Sequence, residues 1–516
     1  MTTKTLGEFF ELAMHKHANN SAFICSGQQL NFSELEVQSR KLALWLQSIL
    51  NKGDRVAVQL PNINQYPLAA IAVLRAGLVL VNTNPFYTPN EMVHQFSDSG
   101  AKVLITLSTL SPSLEEVLPE TDIETVILVG GEVSNKTLTQ KTQKPYYYLH
   151  DILSEDRECQ LSHEFAANPN DVAVLQYTGG TTGVAKGACL THLNILSNVE
   201  QIHERLSKVC IDSEETIVCP LPLYHIYAFT VNMVYMFGHG NLNILIPNPR
   251  DLDYFIQQLK AQPFTALLGI NTLFIGLTKH PAFAQLDFSH LKLTLSGGTT
   301  LVESVASEWK ELTECSITEG YGLSETSPVV TLNMPGDEEV GTIGRSLVDT
   351  EVEIRDANGY RVSDNQPGEL LVKGPQVMKG YWQRPESTSD VFTDDGFFKT
   401  GDVAIRQTNG NFRIVDRLKE LIIVSGFNVY PNEVEAVLVS HPSIIEAAVV
   451  GIPFSKTGEA VHAYVAVSKS IQAEDIKHYC KEYLTAYKIP SKIIILDELP
   501  KSSVGKILRR DLRQSK

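Results

Sequence analysis

Between residues 171 and 330 short apolar runs alternate with helical patterns, and no other feature restricts the fold of this chain as much. DVAVLQ, FTALLGI and LKLTLSGG read as buried strands, and helices are expected up to about Lys208, from Asp251 and from Asn271. Strands alternating with helices imply a largely parallel sheet. Such sheets bind ligands in crevices beyond the carboxyl ends of their strands. Residues 1–110 repeat the theme: RVAVQLP reads as a strand, residues 32–48 carry an apolar helical face, and Ser33 followed by Glu36 resembles a capping box. Segment 111–170 is polar and irregular and is expected to be a connection. Residues 340–416 turn to short strands such as TEVEIRD and GELLVKG between Gly, Pro and Asn/Asp turns, the pattern of a small antiparallel barrel or sandwich. After Arg417 come IIEAAVVGIP, EAVHAYVAVS, a helix over about 473–487 and KIIILDELP. These make an α+β unit of about a hundred residues, an ordinary domain size.

At 516 residues the chain exceeds the length at which one core stops growing, roughly 250–300 residues. The expected architecture is a large α/β domain over 1–417, including a β-rich subdomain at about 340–416, followed by a small α+β domain over 418–516.

The stretch 177–187, YTGGTTGVAKG, follows one of the predicted strands. Gly179, Gly180 and Gly183 free the backbone for close approach to an anion, Thr178, Thr181 and Thr182 add hydroxyl donors, and Lys186 adds a positive charge. Thr191 is placed as the N-cap of a helix carrying Leu193, Leu196 and Val199, so the loop is expected between strand and helix. It is not a Walker A loop, because Val184 and Ala185 separate Gly183 from Lys186.

Four further stretches share the chemistry of a nucleotide site. EGYGLSETSP, residues 319–328, offers Tyr321 for stacking on a base, Glu325 as a hard oxygen ligand for Mg²⁺, and Thr326 as a phosphate partner. Its glycines do not make a Rossmann fingerprint, since Glu325 stands where a third glycine belongs, and no G-x-G-x-x-G follows a strand elsewhere. In TGD, residues 400–402, the Asp402 carboxylate suits the two hydroxyls of a ribose, although a lone T-G-D is more often only a turn. IVDRLKELIIVSGFNVYPNEVE places Arg417 and Lys419 at the junction of the two compositional regimes, and PKSSVGKILRR ends the chain with a basic run.

The balance of 43 Lys and Arg against 59 Asp and Glu gives a net charge of −16. That argues against wholesale binding of nucleic acid, and an anionic substrate must be met by local basic groups. Seven scattered cysteines, none spaced C-x-x-C, fit a reducing cytoplasm. The longest apolar stretch, 68–81, is 14 residues long and interrupted by Arg75 and Gly77, too short to span a bilayer. His15, His17 and His94 have no partners at metal-ligand spacing and are expected to be surface or satisfied core side chains.

In this order the five stretches resemble the signature motifs of the adenylate-forming superfamily, which includes acyl-CoA synthetases, luciferases and the adenylation domains of peptide synthetases. The resemblance covers essentially the whole chain. LPLYHIYAFTVN, NPRDLD, GINTLF, VKGPQVMKGYW and VSGFNVYPNEVE look closest to the bacterial long-chain fatty-acid–CoA ligases. The resemblance implies two steps: a fatty acid and ATP give acyl-adenylate and pyrophosphate, then CoA displaces AMP to form the thioester. It implies that the glycine loop from Thr178 to Lys186 holds the β- and γ-phosphates, and that Glu325, with Thr178, binds Mg²⁺. Gly297, Gly298, Thr299, Tyr321 and Gly322 would form the adenine pocket, Thr326 would meet a phosphate, and Asp402 with Arg417 would hold the ribose. Lys506 would bridge the carboxylate and the α-phosphate. The small domain would swing about a hinge at Lys419, replacing Lys506 by the Gly426 loop and opening a channel for the pantetheine of CoA.

His225 resembles the histidine near the acyl carboxylate, and Phe229, Met233, Asn271 and Phe274 are expected to line the acyl pocket. Tyr224, Tyr227 and Phe229 read alternatively as core aromatics, and for Tyr227 that reading is preferred. Ser324 stands where threonine is commoner, and SGGTTL replaces a run that usually ends in proline and leucine. The chain starts later than the usual bacterial long-chain enzyme, which leaves peripheral membrane association and homodimer formation open. Other readings also stay open: a ligase for medium-chain or other carboxylic acids, an acyl-AMP ligase delivering to a carrier protein, and a catalytically silent fatty-acid or nucleotide binding protein.

Overall fold

A computed structural model describes residues 3–131, 142–156, 160–178, 184–299, 301–454, 456–502 and 506–514. Two large sheets dominate the first 350 residues. One has seven strands, in the spatial order Tyr146–Tyr148, Thr125–Val129, Ala101–Leu107, Arg55–Gln59, Val79–Asn82, Val172–Thr178 and Lys186–Thr191. All neighbours are parallel except the last pair. The other has nine strands, with a parallel centre that includes Thr216–Cys219, Ala266–Gly269, Leu293–Ser296 and Ile317–Gly322, and antiparallel strands at both edges.

Successive residues of a strand point to opposite faces, and here both faces are buried. In the seven-stranded sheet Val56, Val58 and Ile127 join the largest core, which also holds Ile217, Leu268 and Leu293 of the other sheet. Ala57, Val126 and Leu128 face a second core, and Val218 and Leu267 of the nine-stranded sheet face a third. Near-continuous apolar strands are what a parallel sheet covered on both sides requires.

Three expectations are corrected. Segment 111–170 is not a mere connection, because TVILV and YYY supply two parallel strands of the seven-stranded sheet. A five-residue apolar run is enough for a buried strand, and the polar residues around it hid it. The first long helix, Phe32–Gln47, is capped not by Ser33 but by Asn31, whose backbone N–H donates to Glu34 Oε2 at 2.9 Å. The glycine loop joins two antiparallel strands, with Thr178 opposite Lys186, rather than a strand and a helix. The helix begins only after the second strand, at His192, and there Thr191 is the N-cap as expected.

Residues 351–417 form a four-stranded antiparallel sheet over a core of Ile354, Leu370, Val372, Ala404 and Phe412. The last hundred residues build a five-stranded sheet with helices Pro431–Val439 and Ala473–Tyr483. The second of these stops four residues short of its expected end, where Leu484 is extended.

Candidate active site

The site forms beyond the carboxyl ends of two neighbouring parallel strands, Leu293–Ser296 and Ile317–Gly322. Glycine is required where the chains pass closely. A Cβ on Gly322 would lie 1.9 Å from the carbonyl oxygen of Pro328, and one on Gly297 would lie 3.3 Å from the Tyr227 ring. Gly298 adopts φ +81° and faces the small domain: its Cβ position is 3.8 Å from Lys506 Cε. Nearby, Ser296 Oγ, Thr299 Oγ1 and Glu319 Oε2 are buried without a hydrogen-bond partner among the described residues. Each such atom costs about 1–3 kcal/mol when left unmade, so their concentration at one strand end marks a ligand site.

Glu319 is buried, its Oε1 accepts from the backbone N–H of Leu301 at 3.1 Å, and burial pushes its carboxyl up to about 8. At neutral pH it is therefore largely protonated. The folded state keeps a proton that an unfolded glutamate releases near its ordinary value, so stability falls as pH rises from about 4.5 to 8 and levels off above that. Glu319→Gln, neutral throughout, is expected to gain in melting temperature over the parent by a few degrees between pH 5 and 9. A gap that stays constant with pH would mean that Glu319 ionises normally.

Across the cleft, strands Phe398–Arg406 and Phe412–Arg417 place Asp402 directly opposite Arg417. Asp402 is buried; its Oδ2 accepts from Tyr321 Oη at 2.6 Å and its Oδ1 lies 3.0 Å from Arg417 Nε. The carboxylate thus anchors the Tyr321 hydroxyl and keeps further acceptor capacity for a ligand.

Glu325 sits in the short 3₁₀ helix Ser324–Thr326, and its Oε1 accepts from Tyr381 Oη at 2.8 Å. Burial and the adjoining carboxylate push the Tyr381 hydroxyl up, so it remains a donor. Oε2 carries no hydrogen bond among the described residues, which leaves Glu325 a free oxygen. Thr326 is different. Its hydroxyl accepts from the N–H of Leu323 at 2.9 Å and faces the carbonyls of Leu323 and Pro328, so it locks the turn and is not available to a phosphate. Ser324, half-buried at the start of the same turn, has no side-chain partner among the described residues, and the sequence analysis assigned it no phosphate role. Lys186 Nζ is 2.9 Å from Ser387 Oγ and 5.3 Å from the centre of the Tyr381 ring, which brings it to the same side as Glu325. Gly179, Gly180, Thr181, Thr182 and Gly183 lie outside the described residues.

Lys506 and His225 complete the cluster. Burial and Arg417 lower the Lys506 ammonium, while Asp402 and Glu325 pull it back up; all four groups surround one cleft. His225 caps a short helical turn by accepting from the Tyr227 N–H at Nδ1, 3.3 Å away. Burial, aided by Lys506, lowers His225 to about 3, so the ring is neutral and its Nε2 carries the proton.

Residues 10–382 match the AMP-binding enzyme family, and residues 433–506 match the C-terminal domain of AMP-binding enzymes. The chain belongs to the AMP-binding enzymes. Among AMP-binding enzymes it is 46% identical over 530 residues to the long-chain-fatty-acid–CoA ligase of Yersinia pestis, covering 99% of this chain and 94% of that one. ATP-bound MatB from Rhodopseudomonas palustris superposes with a TM-score of 0.86 at 27% identity, over 99% of this chain and 98% of that one. The apo form of the same MatB, at the same identity and coverage, gives 0.76. Of the two arrangements of that AMP-binding enzyme, this chain is thus closer to the nucleotide-bound one, in keeping with Lys506 lying in the cleft.

The residues expected around the acyl chain separate. Phe229 and Met233 are fully buried in a π-helical segment, Phe229–Met236, that follows His225, and they belong to the core between the two sheets. Phe274 belongs instead to the third core, with its ring 4.9 Å from that of Trp309, so the structure does not bring it to Phe229 and Met233. Both are aromatic or apolar residues in buried helices, and only the packing face tells them apart. Asn271 Oδ1 accepts from the Val302 N–H at 3.1 Å and holds the end of the 297–302 loop. Lys419 is exposed in the short turn Leu418–Glu420, whose Glu420 is buried, between the four-stranded sheet and the small domain, and Gly426, at φ +83°, is at the tip of the hairpin Ile422–Val424 to Phe427–Val429.

Proposed function

We infer that this enzyme is a long-chain-fatty-acid–CoA ligase that works through an acyl-adenylate. The observation that carries the reading is the convergence of Lys506 with Gly298, His225, Glu325, Asp402 and Arg417 in one cleft. In the first step a fatty-acid carboxylate oxygen attacks the α-phosphorus of ATP, a new O–P bond forms, and the bond to the pyrophosphate oxygen breaks. There is no proton to move in that step, so catalysis is positioning and neutralisation of charge. Lys506 supplies the cation between carboxylate and α-phosphate, and neutral His225 donates its Nε2–H to the carboxylate. Tyr321, with Gly297, Gly298, Thr299 and Gly322, holds the adenine; Asp402 and Arg417 hold the ribose hydroxyls. The 178–186 loop cradles the β- and γ-phosphates, and Ser324 takes the phosphate contact that Thr326 cannot make.

Glu325, through its free Oε2, and Thr178 would hold a magnesium ion, which would neutralise charge on the phosphates. In the second step the small domain turns about Lys419, withdraws Lys506 and brings in the Gly426 hairpin to guide CoA. The thiolate of CoA then attacks the acyl carbonyl, and AMP leaves with the bonding pair. Phe229 and Met233, continuous with His225, accept the acyl chain.

The test is CoA-dependent AMP release across acids from about two to eighteen carbons. Each methylene buried is worth about 0.8 kcal/mol, so kcat/KM is expected to climb steeply until the chain fills the pocket. Acetate or an aromatic acid outperforming palmitate would overturn the assignment, and a phosphopantetheinyl carrier protein outcompeting CoA as acceptor would favour the acyl-AMP ligase reading.

A further inference from the structure

We propose that His203, Asp212 and His239 form a binding site for one divalent transition-metal ion of the zinc class, separate from the magnesium carboxylate at the phosphates. Their ligand atoms all lie within 4.8 Å of one another. They come from three different elements: His203 from the last turn of the helix His192–Leu206, Asp212 from the turn that follows, and His239 from just beyond the π-helical segment.

Three observations make this more than a coincidence of side chains. His239 Nδ1 is 2.8 Å from the carbonyl oxygen of Tyr235. A carbonyl only accepts, so Nδ1 carries the hydrogen and Nε2 presents its lone pair, the form in which imidazole binds a metal, with the outer hydrogen bond fixing the ring. His203 Nδ1 is buried with no hydrogen-bond partner among the described residues. The Ser213 N–H donates to the His239 carbonyl at 2.9 Å and clamps the turn that carries Asp212 onto the loop that carries His239.

Asp212 pairs at 3.4 Å with Lys16, but both side chains are about half exposed and such a pair is weak enough to yield to a metal. Tetrahedral zinc with bonds of about 2.0–2.3 Å sets ligand atoms roughly 3.4 Å apart and lies near the plane of each imidazole it binds, so Asp212 must close in and one of the two imidazoles, whose planes are only 16° apart, must turn out of the stack to face the ion. Two histidines and one carboxylate with a fourth position left to water suit Zn²⁺, Co²⁺ or Ni²⁺ rather than Mg²⁺. The ion would pin the far end of the segment bearing Phe229 and Met233 to the neighbouring helix.

The experiment is titration of the purified full chain with Co²⁺, read by its visible absorption, followed by displacement with Zn²⁺, and a thermal melt with Zn²⁺ in excess Mg²⁺. One Co²⁺ per chain and a Zn²⁺-dependent rise in melting temperature are expected. H203Q/H239Q should bind at least roughly 10–100-fold more weakly, the loss seen when even an outer partner is removed. D212N changes an exposed side chain, so it keeps the comparison valid should the double variant not fold, and it too should weaken binding. The proposal is overturned if the parent protein takes up no Co²⁺ at submillimolar concentration, or if D212N and a folded H203Q/H239Q bind as tightly as the parent.

Discussion

Lys506→Ala is expected to lower acyl-adenylate formation by at least about 10²–10³-fold, the loss typical of removing one preorganised donor to developing charge. Thioester formation from supplied acyl-adenylate and CoA should stay within a few-fold of the parent. The asymmetry follows from where the residue sits. Lys506 is the small domain's cation in the cleft, against Gly298, and its ammonium is influenced by Arg417, Asp402 and Glu325 together. In the proposed second step the domain turns and carries that ammonium away from the nucleotide. Pyrophosphate release measures the first step, and conversion of synthetic palmitoyl-adenylate to palmitoyl-CoA measures the second. Equal losses in both would mean that Lys506 supports the fold or CoA binding rather than attack on the α-phosphate.

Asp402→Ala is expected to raise KM for ATP by about 10–100-fold, since hydrogen bonds to a charged group contribute about 1.5–3 kcal/mol and 1.4 kcal/mol is tenfold. The same substitution leaves Tyr321 Oη and Arg417 without their shared carboxylate. Tyr321→Phe separates the two effects, because it removes the anchor of the ring but leaves the acceptor for ribose. The decisive readout is discrimination between ATP and its 2′- and 3′-deoxy analogues. The parent should prefer ATP, Tyr321→Phe should retain that preference, and Asp402→Ala should lose it. Were Asp402→Ala to discriminate as well as the parent, the carboxylate would be only a support for Tyr321.

The motifs from which the candidate site is built were legible because their signals are local. A glycine between Ser296 and Thr299, or at 322, is demanded by a backbone that must pass within van der Waals reach of another chain, and composition alone shows a run of such residues. Thr191 as N-cap was equally plain, since a hydroxyl followed by a helical apolar pattern satisfies orphan N–H groups from within the segment. The hairpin formed by the glycine loop was not plain. GACLT supports strand or helix by periodicity, and only pairing with Val172–Thr178 chooses. Thr326 and Ser324 differ by two positions in one motif, and which hydroxyl is consumed by the turn depends on the carbonyl of Pro328 folding back over it.

By itself the sequence determined the layered α/β plan, a smaller C-terminal domain and the family, because strand period, helix period and turn chemistry act over a few neighbouring residues. Tertiary structure alone decided that Asp402 faces both Arg417 and Tyr321, that Phe274 and Phe229 lie in different cores, that Lys506 enters the cleft, and that His203, Asp212 and His239 meet. Those are contacts between segments tens to hundreds of residues apart, and they form because packing two sheets and a second domain together buries enough apolar surface to hold them, a cooperative effect that no short window of sequence contains.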